Sequence, residues 1–180
     1  MNYHSNQKLF CITGSSGYLG SELIKLFKER KIKYVKFKIP RPIKTDRNLR
    51  SFYSKHINEF FTLNKYVDTI INCAASLKPK NYKEFYFNSY FPILLQESLF
   101  KLNEHSTFVN ISSTRVFKNS TDKYSLSKKY SENIMFNKGT IISIYPDIIL
   151  DKTKGAYNEL EHILSSKIPF VPVFNPGNYF

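Results

Sequence analysis

A serine, a tyrosine and a lysine at Ser113, Tyr124 and Lys128 have the types and spacing that proton transfer requires. Residues four apart lie on one face of a helix, which brings Tyr124 and Lys128 together. An ammonium beside a phenol lowers the tyrosine pKa, so the tyrosine can exchange a proton with a substrate hydroxyl or carbonyl. Ser113 can hydrogen-bond the same substrate oxygen. By itself the Tyr-x-x-x-Lys spacing means little in a chain with 13 tyrosines.

A glycine-rich segment near the N-terminus is the second chemical signal. Gly14 permits a tight turn, Gly17 lets the backbone approach a pyrophosphate, and Gly20 lets the next helix pack close to its strand. The helix N-terminus supplies free N–H groups and a partial positive charge. The segment predicts a phosphate-binding turn, and a purely structural turn is the alternative. The expected cofactor contacts in this segment are Gly14, Ser16, Gly17, Tyr18, Leu19 and Gly20.

The end of the second expected strand bears on the choice of cofactor. NAD-binding domains usually carry an acidic residue there, but residues 37–41 read Phe-Lys-Ile-Pro-Arg. Arg41, backed by Lys38 or Lys44, suits the 2′-phosphate of NADP because a guanidinium is a planar fork of donors. The sequence therefore predicts NADP, with NAD possible and a solvated Arg41 as the alternative. Asp46 is a candidate contact to the adenine amine.

The elements that must position these residues alternate along the chain. Apolar and β-rich runs predict strands at 9–13, 33–39, 67–74, 107–112 and 140–145. Helical spacing predicts helices at 18–30, 48–65, 82–102, 122–136 and 156–165. This alternation predicts an α/β fold, a Rossmann-like doubly wound parallel sheet with helices on both faces. Every motif above falls at the carboxyl end of a strand, where such sheets bind ligands.

Composition narrows the class of protein. The chain has 180 residues, which suits one domain, and 27 Lys and Arg against 14 Asp and Glu give a net charge of +13. A charge of this size attracts anions to a functional site, or it belongs to a generally basic, well-solvated surface. Cys11 and Cys73 lie in apolar runs, so we expect buried thiols in a reducing compartment. No apolar run reaches the ~18 residues of a membrane helix, and residues 1–8 lack a signal peptide's apolar stretch. We therefore expect a cytoplasmic protein without a membrane partner.

Three other classes of function have little support. The histidines are scattered without ligand spacing, so no metal site is predicted; they are His4, His56, His105 and His162. A serine hydrolase needs a nucleophile elbow, which the serines after Gly14 do not form. Aromatic residues make up 16% of the chain but fall on apolar faces, so they indicate core packing rather than nucleic-acid binding.

In combination, the motifs resemble the extended short-chain dehydrogenase/reductase family, which includes nucleotide-sugar epimerases, dehydratases and reductases. The spacing of Gly14, Gly17 and Gly20 is that of the extended branch. The other matching segments are Asn72-Cys73-Ala74-Ala75 beside the cofactor, Asn88 with Leu94-Leu95-Gln96-Glu97 in a helix, Ile111 to Phe117 around the catalytic serine, and Tyr145-Pro146 near the nicotinamide.

The resemblance implies a role for each residue of the first motif. Ser113 would anchor the substrate oxygen, Tyr124 would be the general acid/base, and Lys128 would tune Tyr124 and hold the nicotinamide ribose. The further cofactor contacts that it implies are Cys73, Ala74, Ala75, Asn88, Tyr124, Lys128, Tyr145 and Pro146. Dimers of this family often form through helices that resemble residues 82–102 and 122–136, so a homodimer is implied by resemblance only.

The sequence departs from the family pattern in several places. Ser113 and Tyr124 are only 11 residues apart (124 − 113), where the family has a longer loop. Thr114 and Arg115 stand where 4,6-dehydratases carry an Asp-Glu pair, so dehydration is not expected. Tyr145 replaces an arginine that is frequent before the proline. Residues 168–180 resemble the stretch before the family's substrate-domain core. We therefore expect an NAD(P)-binding Rossmann domain at 1–150 and a remnant of a truncated C-terminal substrate lobe at 151–180.

The resemblance implies an NADP-dependent oxidoreductase or epimerase acting on a nucleotide-activated sugar. A reductase is slightly preferred, because Ser113-x-x-Val116-Phe117 resembles the reductase branch. The alternative is a non-catalytic NAD(P)-binding module or a subunit that lacks a complete substrate site. The short lobe favours this alternative, because an open site loses the orientation and water exclusion that hydride transfer needs.

Overall fold

The computed structural model describes residues 8–43, 46–118, 120–135 and 139–146. The strands are β1 Phe10–Thr13, β2 Tyr34–Phe37, β3 Thr69–Asn72, β4 Thr107–Ile111 and β5 Thr140–Ile144. The helices are α1 Tyr18–Glu29, α2 Leu49–Leu63, α3 Tyr82–Ser89, α4 Phe91–Leu102 and α5 Lys123–Ile134, with a 3₁₀ helix at Thr114–Phe117. The predicted helix at 156–165 and the predicted remnant lobe at 151–180 lie outside the described residues, so the domain boundary at 150 stays a prediction.

The five strands form one parallel sheet in the order β2-β1-β3-β4-β5. The chain moves outward from β1 to β2, passes back across β1 to β3, and then continues in one direction. This reversal makes β1 and β3, which are neighbours in the sheet, a topological switch point. In a doubly wound sheet a ligand-binding crevice lies beyond the carboxyl ends of the strands at such a point. The prediction of a Rossmann-like parallel sheet is confirmed.

Helices cover both faces of the sheet. Successive strand residues point to opposite faces, so each strand has apolar side chains packed against helices on either side. On one face, Cys11, Ile70 and Phe108 are register neighbours and are fully buried beneath α2 and α4. On the other face, Ile12 packs against Ile24 and Phe27 of α1. Continuous burial on both sides explains why the strand sequences are apolar runs rather than simple alternations.

Helix α2 shows how local sequence and packing agree. The Asn48 side chain caps it by accepting a hydrogen bond from the Ser51 N–H at 2.9 Å. Its buried residues recur every four positions and face the sheet; they are Leu49, Tyr53, Ile57 and Phe61. The apolar stripe and the cap together define the helix that the sequence predicted at 48–65.

The single helix predicted at 82–102 is wrong, because the chain forms two helices that meet at Tyr90. Pro92 lies in the first turn of α4. A proline has no N–H, and its ring clashes with the carbonyl four residues earlier, which here belongs to Asn88. Tyr90 keeps helical angles (φ −93°, ψ −33°), so the break is confined to one residue.

The described α-helices are 8 to 15 residues long, and the 3₁₀ helix has 4 residues. Within the described ranges, no helix combines the length and the apolar character that crossing a membrane requires.

We expect Leu95→Ala to destabilise the protein by about 2–5 kcal/mol, since Leu95 is fully buried in the cluster under the sheet and its truncation leaves a cavity. Urea unfolding measures this change. Leu63→Ala is the matched control, because Leu63 is 85% exposed at the end of α2 and should change stability by no more than about 0.5 kcal/mol. Equal effects of the two substitutions would contradict the packing described for α4.

Candidate functional site

The glycine turn lies directly against the end of β3. Gly14 has φ +64°, in the left-handed region that favours glycine. A Cβ at Gly14 would lie 2.6 Å from the carbonyl carbon of Cys73 and 2.7 Å from the nitrogen of Ala74. A Cβ at Gly20 would lie 2.3 Å from the carbonyl oxygen of Gly14. Only glycine fits either position, so the predicted reasons for Gly14 and Gly20 are confirmed.

The N-terminus of α1 follows this turn. Gly17 is its N-cap, and its N–H donates to the Gly14 carbonyl at 2.9 Å. No described side chain hydrogen-bonds the helix as a cap. Because the first N–H groups of a helix have no partner within it and carry the positive end of the helix dipole, this end can accept an anion.

A cleft of about 710 Å³ opens beside the turn, at the carboxyl ends of β1, β2 and β3. Seven predicted cofactor contacts line it: Gly14, Ser16, Gly17, Arg41, Cys73, Ala74 and Ala75. Three separate stretches of sequence therefore meet at the switch point. The cleft is large enough for a mononucleotide-sized ligand to enter.

Eight other predicted cofactor residues do not line this cleft: Tyr18, Leu19, Gly20, Asn88, Tyr124, Lys128, Tyr145 and Pro146. Asn88 shows how such a residue still shapes it. Its buried amide accepts from the Ser76 N–H and donates to the Ser76 carbonyl, both at 2.7 Å. Ser76 lines the cleft, so the two hydrogen bonds from Asn88 hold a backbone segment of the cleft lining in place.

Charge in the cleft is predominantly positive. Lys38, Arg41 and Lys83 line it together with one carboxylate, Glu84. That carboxylate already accepts hydrogen bonds from the Lys80 N–H at 2.9 Å and from the Asn81 amide at 3.2 Å. The bond from the Lys80 backbone is the main reason why the pKa of Glu84 lies below its usual value. The excess of cations over carboxylates in its lining gives the cleft a preference for anions.

The loop after β2 holds two residues that the sequence predicted near the adenine end. Arg41 lines the cleft, as the NADP hypothesis requires. Asp46 does not line it, and its carboxylate instead accepts a hydrogen bond from the Ile43 N–H at 2.6 Å. In this structure Asp46 therefore closes a turn. Lys44, the alternative partner of Arg41, lies outside the described residues.

Ser113 and Tyr124 meet as predicted. Ser113 follows β4 and caps the 3₁₀ helix by accepting from the Arg115 N–H at 3.3 Å, and its hydroxyl lies close enough to the Tyr124 phenol on α5 to act on the pKa of that phenol. Burial raises the pKa of Tyr124, and the Ser113 hydrogen bond and then the positive charge of Arg115 partly oppose this rise. The cation that acts on the phenol is thus Arg115, and the expected lowering of the Tyr124 pKa by Lys128 is wrong here.

Lys128 points into the protein beneath the strand ends. It is 1% exposed, and its Nζ donates to the Ile111 carbonyl at 2.8 Å. Burial lowers the pKa of Lys128 to about 8, against the opposing effects of Glu132 and Cys73. A lysine in this setting is close to the balance between its charged and neutral forms at neutral to mildly basic pH.

A buried row of polar side chains crosses the sheet at the carboxyl ends of its strands. Thr13, Asn72, Asn110 and Ser143 are register neighbours on β1, β3, β4 and β5. The Thr13 hydroxyl donates to Asn72 at 2.6 Å, and the Asn72 amide donates to Asn110 at 2.9 Å. The Asn110 amide then donates to a carboxylate oxygen of Glu132 at 2.7 Å.

Glu132 ends this row and was not predicted from sequence. Its second oxygen accepts from the Ser143 hydroxyl at 2.8 Å and from the Tyr145 hydroxyl at 2.9 Å. The two oxygens of Glu132 therefore accept three side-chain hydrogen bonds in all. A signal was available, because Glu132 lies four residues after Lys128 on the same helix. Tyr145, where the family often has arginine, is thus tied to α5.

The segment after β5 lies beside the end of β4. The Ser112 N–H donates to the Ile144 carbonyl at 2.8 Å, and the Thr114 N–H donates to the Pro146 carbonyl at 3.2 Å. The predicted nicotinamide-end segment, Tyr145-Pro146, therefore flanks the strand end that carries Ser113. Ser113, Tyr124 and this segment therefore lie on the β4 side of the switch point, whereas Arg41 lies on the β2 side.

The burial of Lys128 predicts a pH-dependent stability. Its pKa is about 8 in the fold against an ordinary 10.5, so the unfolded chain binds more protons between these pH values. We expect the stability of wild type relative to Lys128→Met to rise between pH 8 and 10.5, by up to about 3 kcal/mol.

Chemical unfolding at several pH values measures this difference. Lys129→Met is the matched control, because Lys129 is the exposed neighbour of Lys128 and should show no such trend. The same pH dependence in wild type and Lys128→Met would contradict the buried ammonium.

Comparison with solved structures identifies the fold. The enzyme WbmH of Bordetella bronchiseptica, solved with NAD+, has a TM-score of 0.67 and 18% identity over 88% of this chain and 62% of its own. A dTDP-4-dehydrorhamnose reductase of Clostridium acetobutylicum has a TM-score of 0.62 and 19% identity over 88% of this chain and 59% of its own. A short-chain dehydrogenase of Burkholderia cenocepacia, solved with NADP, has a TM-score of 0.65 and 15% identity over 83% and 76%.

The chain spans about three fifths of the length of the first two of these proteins. No protein-family model and no curated protein matches the sequence. At 15 to 19% identity, what is shared is the backbone architecture. The Rossmann-like fold expected from the sequence is thereby confirmed, and it is the fold that this chain shares with these solved structures.

Proposed function

We propose that this chain binds NADP(H) and belongs to an oxidoreductase or epimerase that acts on a nucleotide-activated sugar by hydride transfer. The observation that carries the proposal is the cleft at the switch point, where the glycine turn, the end of β3 and Arg41 converge. A ligand with a pyrophosphate and an adenosine suits this combination of helix N-terminus, close backbone and cationic rim.

The preference for NADP over NAD rests on charge. Lys38 and Arg41 line the cleft beyond β2, and no acidic residue from that loop lines it among the described residues. Asp46, the acid of the loop, is engaged by the Ile43 N–H. The 2′-phosphate of NADP would add two ionised oxygens where a planar guanidinium can bind both. Comparable structures hold NAD+ in one case and NADP in another, which supports a nicotinamide cofactor in general.

We expect the purified chain to bind NADPH more tightly than NADH, and Arg41→Ala to weaken NADPH binding by about 10- to 100-fold, because a charge-assisted hydrogen bond contributes ~1.5–3 kcal/mol. Nicotinamide fluorescence gives both Kd values. Arg30→Ala is the control, since Arg30 is an exposed arginine that does not line the cleft. If neither cofactor binds, the glycine turn is purely structural and the proposal fails.

The reaction would take place at Ser113, Tyr124 and Lys128. Tyr124 would exchange the proton with the substrate oxygen that Ser113 anchors, and its contact with Ser113 supports this assignment. Lys128 would hold the nicotinamide ribose, and Glu132 lies close enough to favour its charged form. The nicotinamide, when bound, supplies the hydride. A reductase is preferred, in line with the sequence around Val116 and with the dTDP-4-dehydrorhamnose reductase among the similar structures.

We expect Tyr124→Phe to lower kcat for a nucleotide-linked keto sugar by about 10²- to 10⁴-fold, because the general acid is lost. NADPH binding should stay within about twofold, since the phenol acts on the substrate rather than on the adenosine half. Oxidation of NADPH followed by absorbance measures kcat. Tyr130→Phe serves as a control tyrosine on the same helix. Unchanged kcat in Tyr124→Phe would remove Tyr124 from the mechanism.

A second candidate function is a non-catalytic NAD(P)-binding module. Two observations favour it: Lys128 faces the Ile111 carbonyl, and burial raises the pKa of Tyr124. A phenol with a raised pKa is a weaker acid and donates its proton less readily near neutral pH. This function predicts NADPH binding without hydride transfer to any nucleotide sugar. Transfer catalysed by the chain would exclude it.

A further inference from the structure

Lys83 contacts the loop that carries Arg41. It lies in the first turn of α3, and its Nζ donates a hydrogen bond to the carbonyl of Ile43, 40 residues away in sequence. Lys83 and Arg41 both line the cleft. The contact therefore joins two segments of the cleft lining that are far apart in sequence.

The loop forms its turn by itself, but its own bonds do not fix its position. The Ile43 carbonyl also accepts from the Asp46 N–H at 3.1 Å, and the Ile43 N–H donates to the Asp46 carboxylate at 2.6 Å. Ile43 is 67% exposed, so burial of its side chain adds little to hold the turn in place. The hydrogen bond from Lys83 supplies a link between this turn and the rest of the domain.

The other end of this link is firmly held. The Asn81 side chain caps α3 by accepting from the Glu84 N–H at 3.0 Å, and the Asn81 amide donates back to the Glu84 carboxylate. Further along α3, Asn88 clasps both backbone groups of Ser76. Lys83 thus extends from a helix that is held near both of its ends.

We propose that Lys83 is a positioning residue for cofactor specificity, which holds the Arg41 loop over the cleft so that the guanidinium meets a 2′-phosphate on the adenosine ribose. The inference rests on the proposed NADP function and adds a residue from a different element to it. Bidentate binding by arginine depends on orientation, and a loop held in place before binding loses less conformational entropy when the phosphate arrives.

The test is a double-mutant cycle with Lys83→Met and Arg41→Ala, in which Kd is measured for NADPH and for NADH. We expect Lys83→Met to raise the Kd for NADPH about tenfold and to leave that for NADH within about twofold. In the Arg41→Ala background, Lys83→Met should have no further effect, because its action passes through Arg41. Lys83→Arg, which still has a donor for the Ile43 carbonyl, should restore binding in large part.

Two controls separate this role from charge and from folding. Lys80→Met removes the same charge just before α3 without touching the Ile43 carbonyl, and should leave the ratio of the two Kd values unchanged. Hydrogen exchange at the Asp46 amide, measured without cofactor, should become faster in Lys83→Met, because the carbonyl that this amide bonds is no longer held.

Each contrary outcome has a distinct meaning. Equal weakening of both cofactors in Lys83→Met would make Lys83 merely structural. A full additional loss in the Arg41→Ala background would make it a direct phosphate contact, which overturns the positioning role. If wild type prefers NADPH and Arg41→Ala abolishes this preference while Lys83→Met changes nothing, only the present inference falls. If wild type shows no preference, the NADP proposal falls and this inference falls with it.

Discussion

The polar row from Thr13 through Asn72 and Asn110 to Glu132 is the constraint on which the site depends. Both asparagines are fully buried, and a buried amide without partners costs several kcal/mol. Each of them accepts on one side and donates on the other, so every strand in the row must keep its register. A slip of one residue would leave several polar groups unpaired and would turn the apolar face of a strand outward.

This row also explains why the two halves of the site lie where they do. It starts at Thr13, directly before the glycine turn, and ends at a carboxylate that reaches β5 and the Tyr145 hydroxyl. Four parallel strands thus end at the same level, and the loops that follow them start from a common edge. The close approach of Gly14 to the backbone of Cys73 fixes the nucleotide half at this edge. The Ser113 and Tyr124 pair occupies the other half.

Electrostatics divide the site in the same way. The half proposed to bind the nucleotide is an open cleft lined by cations, including Arg41 and Lys83, which suit a phosphate. In the other half Lys128 is buried and Tyr124 is half-buried, and loss of solvent is the main cause of the shifted pKa of each. Burial disfavours the charged form of each group, the ammonium and the phenolate alike. Arg115, at the surface, offsets part of this cost for Tyr124.

Sequence alone was enough to predict the parallel α/β sheet, the glycine turn and the closeness of Ser113 to Tyr124. These features follow from local periodicity, from backbone space at glycine and from the convergence of strand ends. The contacts of Glu132, Lys83 and Asn88 are visible only in the folded chain, because each is made with a partner that strand register and helix packing bring near. The same holds for the direction of Lys128. The four-residue spacing places Lys128 on the same helix face as Tyr124. Its amine, on a flexible stem, nevertheless donates to a buried acceptor, the Ile111 carbonyl.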